Sequence, residues 1–595
     1  MGRVVARIGA GALFPQKPFI HFCPEIHACP ACGSTLHIRK TRERTVVTMD
    51  IGAFHAKETV LFCPHDQKIY PFEQLRNLVP EGGTFGFDVI VEVGLAFFVR
   101  CRNNQETMAE LVARNVFVSE REISYLGRKF IVYLALAHRT GQPHLRDFMA
   151  RRGGYILHVD GTCEGDSPNL FCGLDGISEL VLDTIKIPSE KKEQLVAFFR
   201  RIKKQYGEPK ALVHDMGKGI ITAVEEVFPG VADFICHFHF LRDIGKDLLL
   251  AEYSALQARL RKLKVRPLLR QKAKWLEQEI NPASRTFDEI MASLTFGAWR
   301  QVTSVEQIPL IVTYVLLHWV FDYTRQSDGY GFPFDRPHLD FYRRLQEVHR
   351  VLEEIMDVHL RGISKDNKPF FQIYKTFRKA VEDKQLNDLA ASIERKAEVF
   401  DKLRTAMRIA LPDGKDGIND NGDAEDMKTI KEKVTAFRNW LVSDERRKVT
   451  YANMLKQLEK YWVKLFADPL PVVTPESILY VQPQRTNNIL ERFFRGEKRR
   501  GRKKSGMASL SKILKTTLAD TPLVQNLKNS EYMTIILNGC SSLAERFSQI
   551  DAHLVQEEMK NAKNNKEKVL PAIKKLIKAS DLTTKISVLF SSIAK

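Results

Sequence analysis

The sequence predicts a multidomain α/β protein in which a mixed β-sheet core is interrupted by a large α-helical insertion. Three observations predict this fold class. The chain has 595 residues, enough for about three to five domains. Residues 155–236 alternate between strand and helix patterns, whereas residues 240–470 show helix patterns alone. A Cys-x-x-Cys turn near the N-terminus, at Cys29 and Cys32, indicates a further small domain held by a metal ion.

The composition fits a folded protein with a polyanionic partner. Apolar residues make up 44% of the chain and charged residues 27%, which disfavours disorder, collagen and coiled coil. The formal net charge is +19, and residues 491–595 alone hold 21 basic side chains against 10 acidic ones. Charge localised in this way fits contact with phosphates, although lysine-rich segments are also common without a partner.

Neither a membrane span nor a secretory signal is predicted. The longest apolar run, Ile308–Phe321, has 14 residues, fewer than the roughly 20 that cross a bilayer. Nine cysteines without a readable signal peptide indicate reduced thiols, so a cysteine cluster is interpreted first as a metal site. We expect the protein in the cytoplasm, associated with the nucleoid in a prokaryotic host, or in the nucleus of a eukaryotic one.

Residues 20–71 carry two candidate pairs of zinc ligands, Cys29 with Cys32 and Cys63 with His65. The β-prone runs between the pairs predict a zinc ribbon, in which a small hairpin joins two knuckles. Structural Zn²⁺ takes four tetrahedral ligands, and a Cys-x-x-Cys turn holds two thiolates at the required distance.

The second knuckle departs from the usual pattern, because Asp66 stands where a second cysteine is expected. We therefore predict His65 as the fourth ligand, with His27 and Cys23 as alternatives. Four protein ligands leave no open position for a substrate, so this zinc is expected to be structural. Incidental cysteines in a small β domain are the competing interpretation.

A pair of predicted helices precedes the core. Glu106–Ala113 forms a short amphipathic helix, residues 114–118 a turn, and Ser119 starts a second helix that runs through Leu136 with a Ser-x-x-Glu capping box. This pattern predicts a helix-turn-helix in which the start of the second helix, with Arg121, faces DNA. An ordinary helical hairpin is the alternative.

Acidic residues at two strand ends characterise the predicted core. The elements are, in chain order, strands at Tyr155–Val159, Asn169–Gly173 and Glu179–Ile187, a helix after Ser189, a strand at Lys210–His214, a helix at Gly219–Phe228 and a strand at Val231–Cys236. Three strands, helix, strand, helix and strand is the RNase H-like order. In that topology the first and fourth strands are parallel neighbours, which brings Asp160 and Asp215 within a few ångströms of each other.

The two aspartates predict a metal site. Neighbouring carboxylates in a partly buried site either share a proton or bind a cation. Carboxylate oxygens suit Mg²⁺ or Mn²⁺, and two such ions ~3.5 to 4 Å apart activate the attacking oxygen and stabilise the leaving oxygen when a phosphodiester is displaced. The sequence thus predicts two Mg²⁺ (or Mn²⁺) ions, with a third acid from a later helix.

The third acid is expected beyond an inserted all-α domain at residues 241–475. Within it, Leu411–Met427 is rich in Gly, Asp and Asn but lacks the EF-hand ligand pattern, and is predicted to be a loop. After the insertion, Thr486 is predicted to cap a helix that carries Glu491. A surface glutamate beside a solvated charge run is the competing interpretation.

Seven of the ten residues from 495 to 504 are basic. The candidate DNA contacts there are Arg495, Lys498, Arg499, Arg500, Arg502, Lys503 and Lys504. Closely spaced cations repel one another unless phosphates neutralise them. They follow Glu491 by one to three helical turns, so we expect them to bind the DNA backbone beside the active site rather than to read its sequence.

Four passages together resemble the DDE transposases, specifically the Mutator-like elements and related prokaryotic insertion-sequence transposases. They are His158–Thr162, Val213–Asp215, Cys236–His239 and Thr486–Glu491. The resemblance covers about residues 150 to 510 and implies a catalytic triad of Asp160, Asp215 and Glu491. It also implies a Cys-x-x-His motif at Cys236 and His239, for which structural packing is an equal alternative on spacing alone.

The resemblance implies a DNA transposase that cleaves transposon ends and transfers strands into target DNA. Its expected partners are double-stranded DNA, carrying terminal inverted repeats or the target, and further copies of itself in a homodimer or higher oligomer on DNA. A catalytically idle, transposase-derived DNA-binding regulator is the alternative.

The predicted domain boundaries follow from these motifs. They are a zinc-ribbon-like domain at 20–71, a helical, helix-turn-helix-like region at 72–150, the first part of the RNase H-like core at 151–240, the all-α insertion at 241–475, the final core helix with the basic run at 476–510, and a helical basic C-terminal region at 511–595. The resemblance says nothing about residues 530–595.

Overall fold

The computed structural model describes residues 16–297, 307–323, 329–359, 368–411, 427–474, 477–506, 509–564 and 581–593. The protein is a mixed α/β molecule that divides into two compact units. The sheet unit comprises Met1–Asp233, Leu470–Val481 and Asn487–Lys595, and the helical unit comprises Phe234–Pro469 and Gln482–Thr486. The loop predicted at Leu411–Met427 lies, for residues 412–426, outside the described residues.

A small sheet forms the N-terminal part of the sheet unit. Its strands are β1 (Phe19–Phe22), β2 (His37–Thr48), β3 (Gly52–Phe62) and β4 (Ile69–Tyr70). They lie in the order β1-β3-β2, and β4 also pairs with β3. The start of β2 pairs with the end of β3, at His37 and Phe62. This register brings the segment before β2 and the segment after β3 together at one end of the hairpin.

Four helices follow in the sheet unit. They are α1 (Glu73–Leu78), α2 (Phe87–Gly94, continued by a π-helical turn at Leu95–Val99), α3 (Asn104–Val112) and α4 (Glu120–Arg151). The predicted capping box at Ser119 is present, with Glu122 as its second member. The prediction that this helix ends near Leu136 is wrong. Its apolar face continues through Leu145 and Phe148, which are buried, so the helix extends over 32 residues.

A five-stranded sheet lies at the centre of the sheet unit. Its elements are β5 (Ile156–Thr162), β6 (Asn169–Asp175), β7 (Val181–Ile187), helix α5 (Lys192–Tyr206), β8 (Ala211–His214), helix α6 (Lys218–Val227) and β9 (Ala232–Ile235). The strand order is β7-β6-β5-β8-β9. β6 is antiparallel to both of its neighbours, whereas β5 and β8 are parallel. The predicted parallel contact between the first and fourth strands is confirmed.

The helical segments between residues 488 and 564 pack into the same core as this sheet. The elements are the hairpin β10 (Leu470–Val473) and β11 (Ile478–Val481), then α17 (Asn488–Ser505), α18 (Leu510–Thr516), a 3₁₀ segment (Thr521–Lys528), α19 (Ser530–Leu537), α20 (Leu543–Ser548), α21 (Ala552–Asn564) and α22 (Leu582–Ile593). Tyr532 and Phe547 are fully buried and belong to one hydrophobic cluster with Leu157 and Val159 of β5. The residues up to Val555, on which the resemblance is silent, therefore help to form the core.

The helical unit contains the remaining helices. They are α7 (His237–Lys262), α8 (Val265–Glu279), α9 (Arg285–Phe296), α10 (Ile308–Phe321), α11 (Pro337–His359), α12 (Lys368–Val381), α13 (Lys384–Ala406), α14 (Met427–Val442), α15 (Glu445–Thr450) and α16 (Ala452–Leu465). The long apolar run is α10, whose Ile311, Leu317 and Val320 are buried. In the part of the chain that the structure describes, no helix combines the length and the apolar character needed to cross a bilayer.

One buried histidine joins four elements of the sheet unit. His138 of α4 is 3% exposed. Its Nδ1 lies 3.1 Å from the Tyr532 hydroxyl, and its Nε2 lies 2.9 Å from the Tyr206 hydroxyl and 3.0 Å from the Leu182 carbonyl oxygen. Because a carbonyl only accepts, we assign the proton to Nε2. Burial lowers the pKa of His138 to about 4, so the ring is neutral at physiological pH.

We expect this histidine to make the fold sensitive to acid. The unfolded chain protonates His138 near its ordinary pKa of 6.5, whereas the folded chain does so only near 4. Between these values the unfolded state binds more protons, so the free energy of unfolding falls as the pH falls, by on the order of 3 kcal/mol for a shift of this size. His138→Gln should flatten the pH dependence of urea unfolding between pH 7 and pH 4.5. His553→Gln, at an exposed position of α21, is the control, and identical pH profiles for all three proteins would contradict the assignment.

Candidate active site and metal centre

The first two predicted acids stand at the ends of neighbouring parallel strands. β5 and β8 pair from Ile156 opposite Ala211 to His158 opposite Val213. Two residues further along both strands, the same register aligns Asp160 with Asp215. Because side chains alternate between faces, the two carboxylates project from the same face of the sheet.

The third predicted acid, Glu491, lies on a helix whose N-cap residue is hydrogen-bonded to β5. Asn487, which is fully buried and precedes α17, accepts a hydrogen bond from His158 Nδ1 at 3.0 Å and donates one from Nδ2 to the Val159 carbonyl at 2.9 Å. Glu491 follows one helical turn later, and its backbone N–H bonds to the Asn487 carbonyl at 2.9 Å. The N-cap of this helix is Asn487 and not Thr486 as predicted, and its side chain binds the strand instead of capping the helix.

Asp160 is the most strongly perturbed acid of this group. It is 8% exposed, and burial raises its pKa well above the ordinary value. The negative charges of Asp215, Glu491 and Glu190 raise it further, and only the Gly161 N–H, 2.8 Å from Oδ1, acts in the opposite direction. The acids therefore share one field, and their mutual repulsion calls for a cation or a proton.

Glu190 belongs to this group although we did not predict it. Burial and the charge of Asp215 raise its pKa, and Asn169 Nδ2 donates a hydrogen bond to its Oε1 at 2.6 Å. A Cβ atom at Gly161 would collide with both Glu190 and Asn169, so glycine next to Asp160 leaves room for them. A sequence signal did exist, because β7 runs in the same direction as β5 and β8 and Glu190 follows its end by three residues.

The acidic group fits a hard divalent cation. Its donors are all carboxylate oxygens, which suit Mg²⁺ or Mn²⁺. No three of these four acids bring their oxygens within 4.8 Å of one another, so the group is more open than the cysteine cluster described below. Asp160, Asp215 and Glu491 remain the candidate metal ligands, with Glu190 as an additional acid at the same sheet edge.

The predicted basic run divides into outward and inward side chains. It lies on α17, where the exposed residues are Arg495, Lys498, Arg499, Arg502 and Lys503. Arg500 is half-buried and binds Glu497 Oε1 at 2.5 Å. Lys504 is directed inward, with its Nζ over the ring of Phe97, and burial lowers its pKa to about 7. The inward orientation follows from helical periodicity, because one face of α17 must pack on the unit.

The structure places the other predicted residues elsewhere. Arg121 is exposed in the first turn of α4. Cys236 and His239 lie at the start of α7, in the helical unit, and both are buried. Neighbouring His237 bonds the Leu465 carbonyl through Nε2 at 2.5 Å, and burial lowers its pKa to about 3. The start of α7 is thus buried, and His237 is neutral there at physiological pH.

Cys29, Cys32, Cys63 and Asp66 form the cluster whose ligand atoms all lie within 4.8 Å of one another. The Cys32 and Cys63 sulfurs are 3.5 Å apart, and Cys29 Sγ is 3.0 Å from Asp66 Oδ2. Zn–S bonds of 2.3 Å imply about 3.8 Å between two sulfurs of one tetrahedral site. Three thiolates and a carboxylate at this spacing can hold a metal ion, and zinc is the ion that suits them.

The fourth member of the cluster is Asp66, where we predicted His65. The turn after Cys63 directs the Asp66 backbone N–H at the Cys63 sulfur, 3.5 Å away, and His65 is exposed. The physical reason is spacing. A knuckle presents residues i and i+3 to the metal, as at Cys29 and Cys32, and the residue at i+3 from Cys63 is Asp66.

Two members of the cluster are held in their anionic forms. Hydrogen bonds from the side chain and backbone of Ser34 lower the pKa of Cys32 to about 6. Hydrogen bonds from the Cys29 thiol and the Lys68 backbone lower the pKa of Asp66 to about 2. Burial acts in the opposite direction on Cys63 and raises its pKa to about 11. Metal binding requires deprotonated ligands, so the shifts at Cys32 and Asp66 favour loading of the site and the shift at Cys63 opposes it.

Zinc content provides the test of the cluster. We expect full-length protein to carry about one zinc per chain, measured by plasma mass spectrometry after dialysis, and Cys29→Ser with Cys32→Ser to lose it. Asp66→Ala should weaken zinc affinity by at least about tenfold, whereas His65→Ala should keep it. If the His65 variant loses zinc and the Asp66 variant retains it, the fourth ligand is His65 and not Asp66.

Divalent-ion binding by the acidic group is testable without any activity. Glu190→Gln keeps the hydrogen bond from Asn169 but removes one negative charge, so in EDTA it should melt on the order of a few degrees higher than wild type. Added Mn²⁺ should also stabilise this variant less than it stabilises wild type, because the variant lacks the negative charge of Glu190 that attracts the ion. Glu193→Gln, an exposed acid in the first turn of α5, is the control. Equal Mn²⁺ shifts for all three proteins would remove Glu190 from the site.

Comparison with known proteins gives no further assignment. No protein-family model matches the chain, and no curated protein matches it. The function is therefore argued from the side chains and their geometry.

Proposed function

We propose that the protein is a DNA transposase, which cleaves DNA at the ends of a mobile element and joins the freed strands to target DNA. The observation that carries the proposal is the meeting of Asp160, Asp215 and Glu491 in one field of negative charge. These acids come from two strand ends and one later helix, the order expected of an RNase H-like core with a helical insertion before the third acid. The proposal rests on this arrangement together with the resemblance of the four sequence passages.

The proposed reaction uses the three acids as ligands. Asp160 and Asp215 would hold divalent ions from the sheet, and Glu491 would hold them from α17. Mg²⁺, when bound, would supply charge neutralisation at the scissile phosphate and activation of the attacking oxygen. Water attacks first at the element end, and the freed 3′ hydroxyl then attacks target DNA. Both steps are in-line displacements at phosphorus, so one site serves both.

The outward face of α17 is the proposed contact with the DNA backbone. Arg495, Lys498, Arg499, Arg502 and Lys503 are exposed on α17, the helix that carries Glu491. Lys498 lies 3.9 Å from Glu164 and is the member of this set nearest an acid. Five cations on the helix that carries a proposed catalytic acid favour a phosphate chain held beside that acid. Lys504 and Arg500 are left out of this contact because they are directed towards protein groups.

The N-terminal part of the sheet unit is the proposed source of end recognition. The cysteine cluster and the start of α4, with Arg121, are read here as a zinc ribbon and a helix-turn-helix-like element. The small sheet has a hydrophobic cluster of its own, in which Val46 and Phe54 are fully buried, and the metal would hold together only the end of its hairpin. Removal of the metal is therefore expected to weaken selective binding more than the chemistry.

Cleavage of DNA in the presence of Mg²⁺ is the test of the proposal. The substrate is a supercoiled plasmid that carries the DNA flanking the coding sequence on both sides, where an element would have its terminal inverted repeats. Wild type should nick it with Mg²⁺ and not with EDTA. Asp160→Asn should still bind the plasmid but should not nick it, because a neutral amide is a poor ligand for Mg²⁺.

Two further results separate the alternatives. Glu193→Gln, at the exposed position beside Glu190, should nick like wild type and controls for handling and folding. Wild-type protein that binds the flanking DNA selectively and never cuts it would be a regulator with an idle core. Mg²⁺-dependent nicking by Asp160→Asn at the wild-type rate would show that the activity comes from another site or a contaminant.

A further inference from the structure

The corner between α7 and α8 is the most one-sided charged surface of the helical unit. Residues 259–274 contain eight basic side chains and no acidic one. Two of them bind neighbours: Arg259 bonds Asp383 at 2.5 Å, and Lys272 Nζ bonds Gln372 Oε1 at 2.6 Å. The other six are exposed and form the basic corner: Arg261, Lys262, Lys264, Arg266, Arg270 and Lys274.

Nothing in the described part of the unit neutralises the basic corner. The ion pairs between described residues that involve α7 or α8 engage Arg242, Glu252 and Arg259, and none engages the six cations. Burial lowers the pKa of His338, and the positive charges of Arg261 and Arg266 lower it further. The electrostatic field of the corner therefore reaches this neighbouring histidine. Six exposed cations thus act together without a carboxylate partner in the residues described.

The basic corner opposes the stability of its own helix. α8 has no acid in its first turn, and its N-cap residue, Lys264, makes no side-chain cap and has a left-handed φ of 53°. Cations at a helix N-terminus oppose the helix dipole. Arg266, Arg270 and Lys274 follow at intervals of four residues, so they lie along one face and repel each other. A bound external anion would offset the repulsion between these cations and their unfavourable interaction with the helix dipole.

Two of the cations are held in position. The Arg266 guanidinium lies 5.4 Å from the ring centre of Tyr323, and that of Arg270 lies 5.8 Å from the ring centre of Phe321. Both rings belong to the C-terminal end of α10 and the residues that follow it. Stacking on an aromatic ring restricts a guanidinium that remains exposed, so less conformational freedom is lost when it binds a phosphate.

The chemistry of the corner discriminates between classes of polyanion. A helix that binds a membrane surface needs a free apolar face. Four apolar residues of α8 are buried in the unit, namely Val265, Leu269, Ala273 and Leu276, and Leu268 is a single exposed leucine rather than a face. Protein interfaces are enriched in aromatic residues and depleted in lysine, whereas residues 259–274 contain no aromatic residue. A row of lysines and arginines without an apolar centre fits a phosphate chain.

We propose that the basic corner binds the phosphate backbone of double-stranded DNA without reading its sequence. The choice of DNA as the polyanion rests on the proposed function, whereas the site itself is separate from the acids and from α17. It gives the helical unit a DNA-binding role of its own.

The test compares two sets of four substitutions in the full-length protein. The first set removes corner cations that have no contact with an aromatic ring: Arg261→Gln, Lys262→Gln, Lys264→Asn and Lys274→Gln. Asparagine is used at 264 because it tolerates the left-handed backbone. The control set removes four exposed lysines from other helices of the same unit: Lys379→Gln, Lys384→Gln, Lys431→Gln and Lys456→Gln.

Binding of a random-sequence DNA duplex is measured in EDTA at several salt concentrations. Each lost phosphate contact lowers the slope of log K against log salt by about 0.9, so the corner set should lower it by up to about 3.6 and weaken binding at ~0.1 M salt at least tenfold. The control set should bind within about twofold of wild type. Thermal melting of both variants confirms that they are folded.

Three results would overturn the proposal. They are unchanged DNA binding by the corner set, an equal loss of DNA binding in both sets, and a corner set that loses binding to phosphatidylserine-containing phosphatidylcholine vesicles but still binds DNA.

The measurement in EDTA is independent of cleavage. If wild type nicks DNA and the corner set binds DNA normally, the proposed function stands and the binding site at the corner is rejected. If wild type binds DNA through the corner but never cuts it, the binding site stands and the proposed chemistry is rejected.

Discussion

The acidic edge of the sheet unit is governed by the repulsion between a buried carboxyl group, that of Asp160, and the acids around it. Asp160 is 8% exposed, and the charged groups that dominate its pKa are all acids. The groups that hold the third acid in place are neutral, because burial lowers the pKa of His158 to about 4 and its partner Asn487 is an amide. α17 is therefore fixed against an acidic edge by bonds that bring no positive charge. At such an edge either a proton or a cation from solution must offset the repulsion between the acids.

Local sequence patterns were sufficient to predict this edge of the sheet. A strand that ends in an acid is visible in the sequence, and the parallel neighbourhood of β5 and β8 follows from the order of the elements, so Asp160 and Asp215 were predicted together. Glu190 was missed because only two strand ends were considered, although β7 runs in the same direction as the other two. Asn487 could not be predicted, since its bonds to His158 and Val159 join residues more than 320 positions apart.

Other errors arose where a residue type was weighed more heavily than its position. His65 is the commoner zinc ligand, but the turn after Cys63 presents the residue at i+3, which is Asp66. The basic run was treated as one surface, yet a helix that packs on a core must direct some side chains inward, and Lys504 is one of them. α4 continues past Leu136 although it contains Pro143, because Leu145 and Phe148 extend its buried apolar face. Packing decided the length of α4 and the direction of Lys504, whereas the spacing of the turn decided the position of Asp66.

The two candidate metal sites of the sheet unit differ in a way that allows one chain to use two ions. The cluster at Cys29, Cys32 and Cys63 offers thiolates at short spacing, which select zinc by softness and by tetrahedral geometry. The edge at Asp160 offers only carboxylates at wider spacing, which suit an ion that keeps part of its water. Zinc binds most oxygen sites more tightly than magnesium, so affinity alone would not reserve a carboxylate edge for magnesium. The thiolate cluster differs from that edge in donor type and in spacing, so the two donor sets favour different ions.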